Sequence, residues 1–323
     1  MQASHHSPIR KSTEWIFLSP PFHSCHASTI EETPDGLVTA WFAGTDEGCP
    51  DVGIWLSRWS PARCWTSPVE VANGLQTGGK RYPCWNPVLF QYPIGFLVLF
   101  YKVGPSPREW WGMVMKSSDG GLSWSESTWL PENVLGPVKN KPVLLDNSLL
   151  LCPSSTETGG KWQVHLDLTY DGGQTWSSIG PLNDPAQLAA IQPTILVHSR
   201  ENIQILCRSK QKRIVEAWSE DGGVSWQPMR LTDLPNPDSG IDAVRLQDGR
   251  SLLVYNPTTG GRVPLSIAVS EDGRQWRDIL ILENQSGEYS YPAVIQSQDG
   301  LVHITYTWKR RRIKHVILDL SLL

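Results

Sequence analysis

The sequence predicts an all-β fold, a six-bladed β-propeller closed by its N-terminal strand, and three observations carry that prediction. The first is an octet, Ser/Thr-x-Asp-x-Gly-x-x-Trp, found at Ser117–Trp124, Thr169–Trp176 and Ser219–Trp226, with a copy one residue shorter at Ser270–Trp276. The second is its period: Trp124, Trp176, Trp226 and Trp276 stand 52, 50 and 50 residues apart, the mark of a repeat architecture. The third is composition. Sixteen Trp against six Phe and four Met, with 27 Gly and 25 Pro, suits sheets anchored by aromatics and joined by many turns.

The octet reads as a hairpin turn with an anchor. Its Asp can accept from its own turn backbone, its glycines tolerate positive φ, and its Trp offers a large apolar plate. In chain order, residues 1–13 read as a flexible polar leader, and Glu14–Ser19 as a short strand. A single domain then spans 14–323, with blades at about 26–74, 82–134, 138–183, 190–236, 240–287 and 289–323.

Each unit repeats one order: two short apolar runs joined by a tight turn, a longer loop, a third run, then the octet. In the first unit, Ser28–Ile30 and Leu37–Phe42 flank Pro34-Asp35-Gly36, and Val52–Leu56 leads to a degenerate octet ending at Trp65. The last unit offers three runs only, so strand 14–19 is expected to supply its outer strand. Pairing of first strand with last removes the open edges of a linear stack.

Net charge is −4, so wholesale attraction to nucleic acid or an anionic membrane is not expected. Apolar runs are too short for a signal-peptide core or a membrane span, which makes the cytoplasm the expected location. Six cysteines are scattered without a Cys-x-x-Cys pair and read as plain thiols. Eight histidines show no ligand spacing, so neither metal nor cofactor is expected.

Strand parity locates the site. Turns between strands one and two, and the octets between three and four, fall at one end of the propeller. Entries to strand one and loops after strand two gather at the other, where polar, charged and aromatic groups concentrate. That rim suits an anionic carbohydrate partner.

The octet resembles the Asp-box of the sialidase (neuraminidase) superfamily, whose boxes join the third and fourth strands of four-stranded blades. The chain is identified as a divergent member of the sialidase-like, BNR-repeat proteins. That resemblance implies a fastening role for Asp119, Trp124, Asp171, Trp176, Asp221, Trp226, Asp272 and Trp276. It implies that Arg208, in Leu206-Cys-Arg208-Ser, and Arg262, after Asn256-Pro-Thr-Thr-Gly-Gly, clamp a substrate carboxylate. Tyr289 of Glu288-Tyr289-Ser290 matches the family nucleophile, with Tyr291 its near competitor. Asp51 matches the acid/base, a role that Asp46 and Glu47 contest.

His26-Ala27-Ser28 stands where the family has Arg-Ile-Pro, and Gln192-Pro193 where it has Glu-Pro. His26 and Gln192 therefore occupy catalytic positions with altered chemistry, since an amide cannot accept a proton as a carboxylate does. Arg81, Asn86, Lys141 and Trp308 on the same rim are further expected substrate contacts, while Lys309–Arg312 reads either as a contact for an anionic substrate or, more often for such a run, as a solvated hairpin loop. Three functions fit. One is a sialidase-like glycoside hydrolase releasing an acidic sugar; another is a uronate-type lyase using His26 or Tyr289; the third is a non-catalytic glycan-binding propeller.

Overall fold

The computed structural model describes residues 9–60, 62, 64–146 and 148–323. They form the six-bladed all-β propeller expected from the repeats, each blade an antiparallel sheet of four or five strands. Blade one holds β2 (Ser24–Thr33), β3 (Gly36–Gly44), β4 (Gly53–Ser60), and β5 (Cys64–Trp65) and β6 (Val69–Ala72), both paired to β4. Blade two holds β7 (Cys84–Gln91), β8 (Leu97–Val103), β9 (Trp111–Ser117) and β10 (Thr128–Trp129). Blade three holds β11 (Val143–Leu144), β12 (Leu150–Thr156), β13 (Gln163–Thr169) and β14 (Ser177–Ile179).

Blade four holds β15 (Ala190–Val197), β16 (Ile203–Ser209), β17 (Arg213–Ser219) and β18 (Arg230–Pro235), and blade five β19 (Asp242–Arg245), β20 (Ser251–Tyr255), β21 (Leu265–Ser270) and β22 (Arg277–Glu283). Blade six holds β23 (Tyr289–Gln296), β24 (Val302–Trp308) and β25 (Arg312–Leu318), with β1 (Arg10–Trp15) outside them. Apolar residues of adjacent blades mesh into the cores. Leu252, Val254 and Ile267 of blade five, for example, pack with Val294, Ile304 and Val316 of blade six.

The closing strand starts earlier than expected. It covers residues 10–15 rather than 14–19, with Thr13 opposite Val316 and Trp15 opposite Lys314. Residues 10–13 are therefore part of the fold and not a leader, while residues 1–8 lie outside the described residues. The reason is burial: Ile16 and Phe17 leave the sheet and pack with Trp41, Cys25 and Ile313, whereas Lys11, Ser12 and Thr13 suit an exposed outer strand.

Closure has a polar seam as well. Glu14 Oε1 accepts from Trp65 Nε1 at 3.0 Å and pairs with His315 Nδ1 at 2.8 Å. His315 Nε2 meets His303 Nδ1 at 3.0 Å, and His303 Nε2 meets Ser297 Oγ at 3.1 Å. Burial, helped by the adjacent His315, pushes His303 down to about 4. The hydrogen bond to His315 holds Glu14 below the usual carboxylate range.

All four Asp-boxes lie between the third and fourth strands of their blades. Asp221 Oδ1 accepts from the Val224 and Ser225 backbone N–H groups at 3.1 and 2.9 Å, and Ser219 Oγ accepts from Gly223 N at 2.8 Å. Asp119, Asp171 and Asp272 repeat the pattern. Trp176, Trp226 and Trp276 each donate Nε1–H to the glycine carbonyl three residues back at 3.1 Å. Trp124 instead packs against the apolar core of blades one and two. Among the described residues no helix is long and apolar enough to cross a membrane.

Candidate functional site

The inner strands change character where they reach the axis. β2, β7, β15 and β23 each slip register, between His26 and Thr29, Trp85 and Val88, Ile191 and Thr194, and Ser290 and Ala293. Inside each slip one residue takes positive φ: Ala27 at 55°, Asn86 at 42°, Gln192 at 56° and Tyr291 at 52°. Proline follows three of them, at 87, 193 and 292. It lacks an N–H and so suits an interrupted ladder. Such bulges re-aim side chains.

Lys139 pins the axis. Its Nζ donates to Asn140 Oδ1 at 2.7 Å, the Ile241 carbonyl at 2.6 Å and the Pro292 carbonyl at 2.5 Å, joining blades three, five and six. Burial pushes this ammonium down to about 7, yet three acceptors occupy its three N–H directions. Beside it, Lys141 grips both Asp242 oxygens at 3.0 and 2.9 Å. Asp242 in turn accepts from Thr194 Oγ1 and Val294 N, each at 2.8 Å.

Above this pin lies a cluster of guanidinium groups. Arg208, near the end of β16, donates from one terminal nitrogen to the Tyr291 hydroxyl at 2.8 Å and the Asp238 carbonyl at 3.1 Å. Its plane lies 4.9 Å from the Trp162 ring. Arg262, in the loop after β20, pairs with Glu288 at 2.8 Å and lies 5.6 Å from the Tyr291 ring. Arg310, in the hairpin between β24 and β25, pairs with the same Glu288 oxygen at 2.9 Å and with Glu47. Burial works to raise the Glu288 carboxyl, but Arg310 and Arg262 outweigh it and hold it low. For Arg310, burial is outweighed by Glu47 and Glu288, which raise its affinity for the proton.

His26 sits beneath these cations. It is buried, its Nδ1 lies 3.0 Å from Thr307 Oγ1, and its ring centroid is 4.2 Å from that of Tyr291. Burial first, then the fields of Arg310, Arg262, Arg208 and Lys139, keep the imidazole well below its ordinary range and therefore neutral.

The expected residues divide by position. Arg208, Arg262, His26 and Glu47 belong to this cluster. Tyr289 meets it through the backbone alone, donating its N–H to the Arg262 carbonyl at 3.1 Å; its side chain is 1% exposed, packs in the core of blades five and six, and lies against Trp308. Trp308 itself contacts Trp15 at 5.2 Å. Arg81 is taken up by Glu70 and the Asp51 carbonyl, both at 2.9 Å, and Lys141 by Asp242. Asp51 is exposed and caps its own loop, accepting from Thr45 N and Oγ1 at 2.8 Å. Asn86 and Gln192 are buried at their bulges, and Gln192 Oε1 has no partner among the described residues.

Three residues stand apart from the expected site. Tyr291, the competitor named beside Tyr289, is the one that meets Arg208; Arg310 is a half-buried partner of two carboxylates; and Lys139 holds the axis. A signal for Arg310 existed, because its hairpin follows the second strand of blade six, the same position that delivers Arg208 in blade four.

A six-bladed propeller with an arginine cluster over its axis and Asp-boxes at the far end is of the sialidase-like class. The chain belongs to the BNR repeat-like domain family, whose model matches residues 35–304. Among curated sequences none matches it. Solved structures similar to it include a protein of unknown function from Dyadobacter fermentans, 18% identical, covering 96% of this chain and 98% of that one with a TM-score of 0.78. The Hadza microbial sialidase Hz136 is 16% identical, with 93% of this chain and 66% of that chain covered and a TM-score of 0.80. The NanB sialidase from Streptococcus pneumoniae is 12% identical, with 98% and 71% covered and a TM-score of 0.78.

Proposed function

We propose that this protein is a glycoside hydrolase that releases an acidic sugar from a glycan. The observation that supports it most is the placement of Arg208 and Arg262 at Tyr291, with Arg310 joined to Arg262 through Glu288. Planar guanidinium groups match a carboxylate in a way that ammonium does not. Sialidases with the same fold make a sugar carboxylate the natural candidate.

In this reading Tyr291 takes the nucleophile's role and Tyr289 a packing role. The Tyr291 oxygen attacks the anomeric carbon, the bond to the leaving oxygen breaks, and Asp51 gives that oxygen a proton. Asp51 then takes a proton from the water that attacks the anomeric carbon, the bond to the Tyr291 oxygen breaks, and the phenolate recovers the proton it gave up in the first step. Arg208, donating to the phenol oxygen, favours negative charge there as the phenol proton leaves. His26 is assigned to receive that proton. Burial is the first cause of its neutrality, and the substrate carboxylate would offset only the share that the cations add.

Turnover of a fluorogenic acidic glycoside tests this assignment. Wild type and Tyr289→Phe should both turn over and Tyr291→Phe should not; equal rates in wild type and Tyr291→Phe would remove the nucleophile. A second reading, a uronate lyase, is favoured by one observation, the neutral His26 beside the arginines. There the arginines neutralise the carboxylate, the adjacent C–H is acidified, and His26 takes its proton while the glycosidic bond breaks. An unsaturated product absorbing in the ultraviolet would select that reading over hydrolysis.

A further inference from the structure

A cavity of about 630 Å³ opens between blades two and three. It lies at the same end as the arginine cluster, because Trp110 comes from the loop after β8 and Glu157 from the loop after β12. One wall is aromatic. Trp111 and Trp129 stack at 5.0 Å with their planes 8° apart, and Trp129 is 61% exposed. The facing wall carries Glu157, His165 and Asp167.

Both walls lead back to the arginines. Glu157 Oε2 accepts from Trp162 Nε1 at 3.1 Å, and the Trp162 ring supports Arg208. On the other side Trp110 meets Trp85 edge to face at 6.2 Å, Trp85 meets Phe42 at 5.9 Å, and Phe42 meets His26 at 5.6 Å. The indole N–H groups of Trp110 and Trp111 have no acceptor among the described residues.

Charge separates the two sites. Glu132, Glu157 and Asp167 line the cavity with Arg108 as the one Lys or Arg on its wall among the described residues, a lining that repels an anion. Flat indole faces next to carboxylate and amide acceptors suit a neutral sugar ring, whose C–H face stacks and whose hydroxyls donate.

We propose that this cavity is a second carbohydrate subsite, holding a neutral sugar of the glycan whose acidic end the arginines bind. The glycan link rests on the hydrolase reading; binding of a neutral sugar does not. The test titrates the whole chain with lactose, N-acetyllactosamine and maltotriose, observed by ligand NMR. Wild type should bind at least one of them saturably. Trp129→Ala, which removes an exposed ring, should weaken that binding about tenfold. Saturable binding by none of the three, or equal binding by wild type and Trp129→Ala, would overturn the subsite and leave the arginine reading untouched. Neutral-sugar binding without turnover of acidic glycosides would uphold the subsite while the hydrolase reading failed.

Discussion

Arg208 and Tyr291, 83 residues apart in sequence, meet at 2.8 Å between a guanidinium nitrogen and a phenol oxygen. Arg208 arrives at the end of the second strand of blade four, and Tyr291 at the bulge that opens blade six. In the proposed hydrolase, their contact would couple carboxylate recognition to the reacting oxygen through one side chain.

Loss of that oxygen should therefore be felt in the chemical step. Tyr291→Phe is expected to lower kcat by roughly 10²–10⁴-fold while the fold is retained. Tyr289→Phe, changed inside the blade five and six core, should leave kcat within a few-fold of wild type. Steady-state kinetics on an acidic aryl glycoside separates the two.

Arg310 holds Glu47 and Glu288 and adds to the positive field over His26. Arg310→Met keeps most of the side-chain volume and removes the charge. KM for the acidic substrate should rise about 10–100-fold, with a smaller change in kcat. An unchanged KM would show that Arg310 serves the loop and not the ligand.

Lys139→Met would leave Asn140 Oδ1 and the Ile241 and Pro292 carbonyls without their shared donor. Buried acceptors left unpaired are costly, and a loss of about 3 kcal/mol is expected by chemical denaturation. Stability equal to wild type would mean that packing alone holds the axis.

Acid should weaken ring closure in two stages. His303 titrates near 4 in the folded chain and near 6.5 when free, so its contribution is full above 6.5 and lost as pH falls towards 4. Glu14 is held below 4.5, so its share is present above 4.5 and lost only below it. Thermal melts of His303→Gln should show a flatter profile between pH 6.5 and 4 and the same fall below 4.5. A profile that still slopes as wild type does would place the acid sensitivity elsewhere.

What could be read from the sequence was local. An Asp-box is a self-contained turn, so Asp119, Asp171, Asp221 and Asp272 could be placed before any contact was seen, and strand parity carried Arg208 and Arg262 to the end opposite the Asp-boxes, where the structure has them. The tyrosine could not be placed that way. In a regular strand Tyr289 and Tyr291 share a face, but the slip between Ser290 and Ala293 and the positive φ at Tyr291 break the alternation. Arg310 was hidden for another reason: its partners Glu47 and Glu288 come from blade one and the entry to blade six, and a basic run shows no partners in one dimension. Trp15-Ile16-Phe17 looked like a strand because it is apolar, and is apolar because Ile16 and Phe17 are buried beneath blade one.

Glu14 and His315 are separated by 301 residues and joined by a single hydrogen bond at the seam of blade six. During synthesis the first strand made must wait for the last, so blades one to five can form in order while β25 is still missing. Until it arrives, blade six cannot assemble and β1 has no sheet to join. The sequence separation at this seam is the largest among the described strand pairs, so ring closure carries the largest loop-closure cost in the fold. The same interval is when an open edge invites another molecule's strand, so swapped dimers are the misassembly that this architecture risks most.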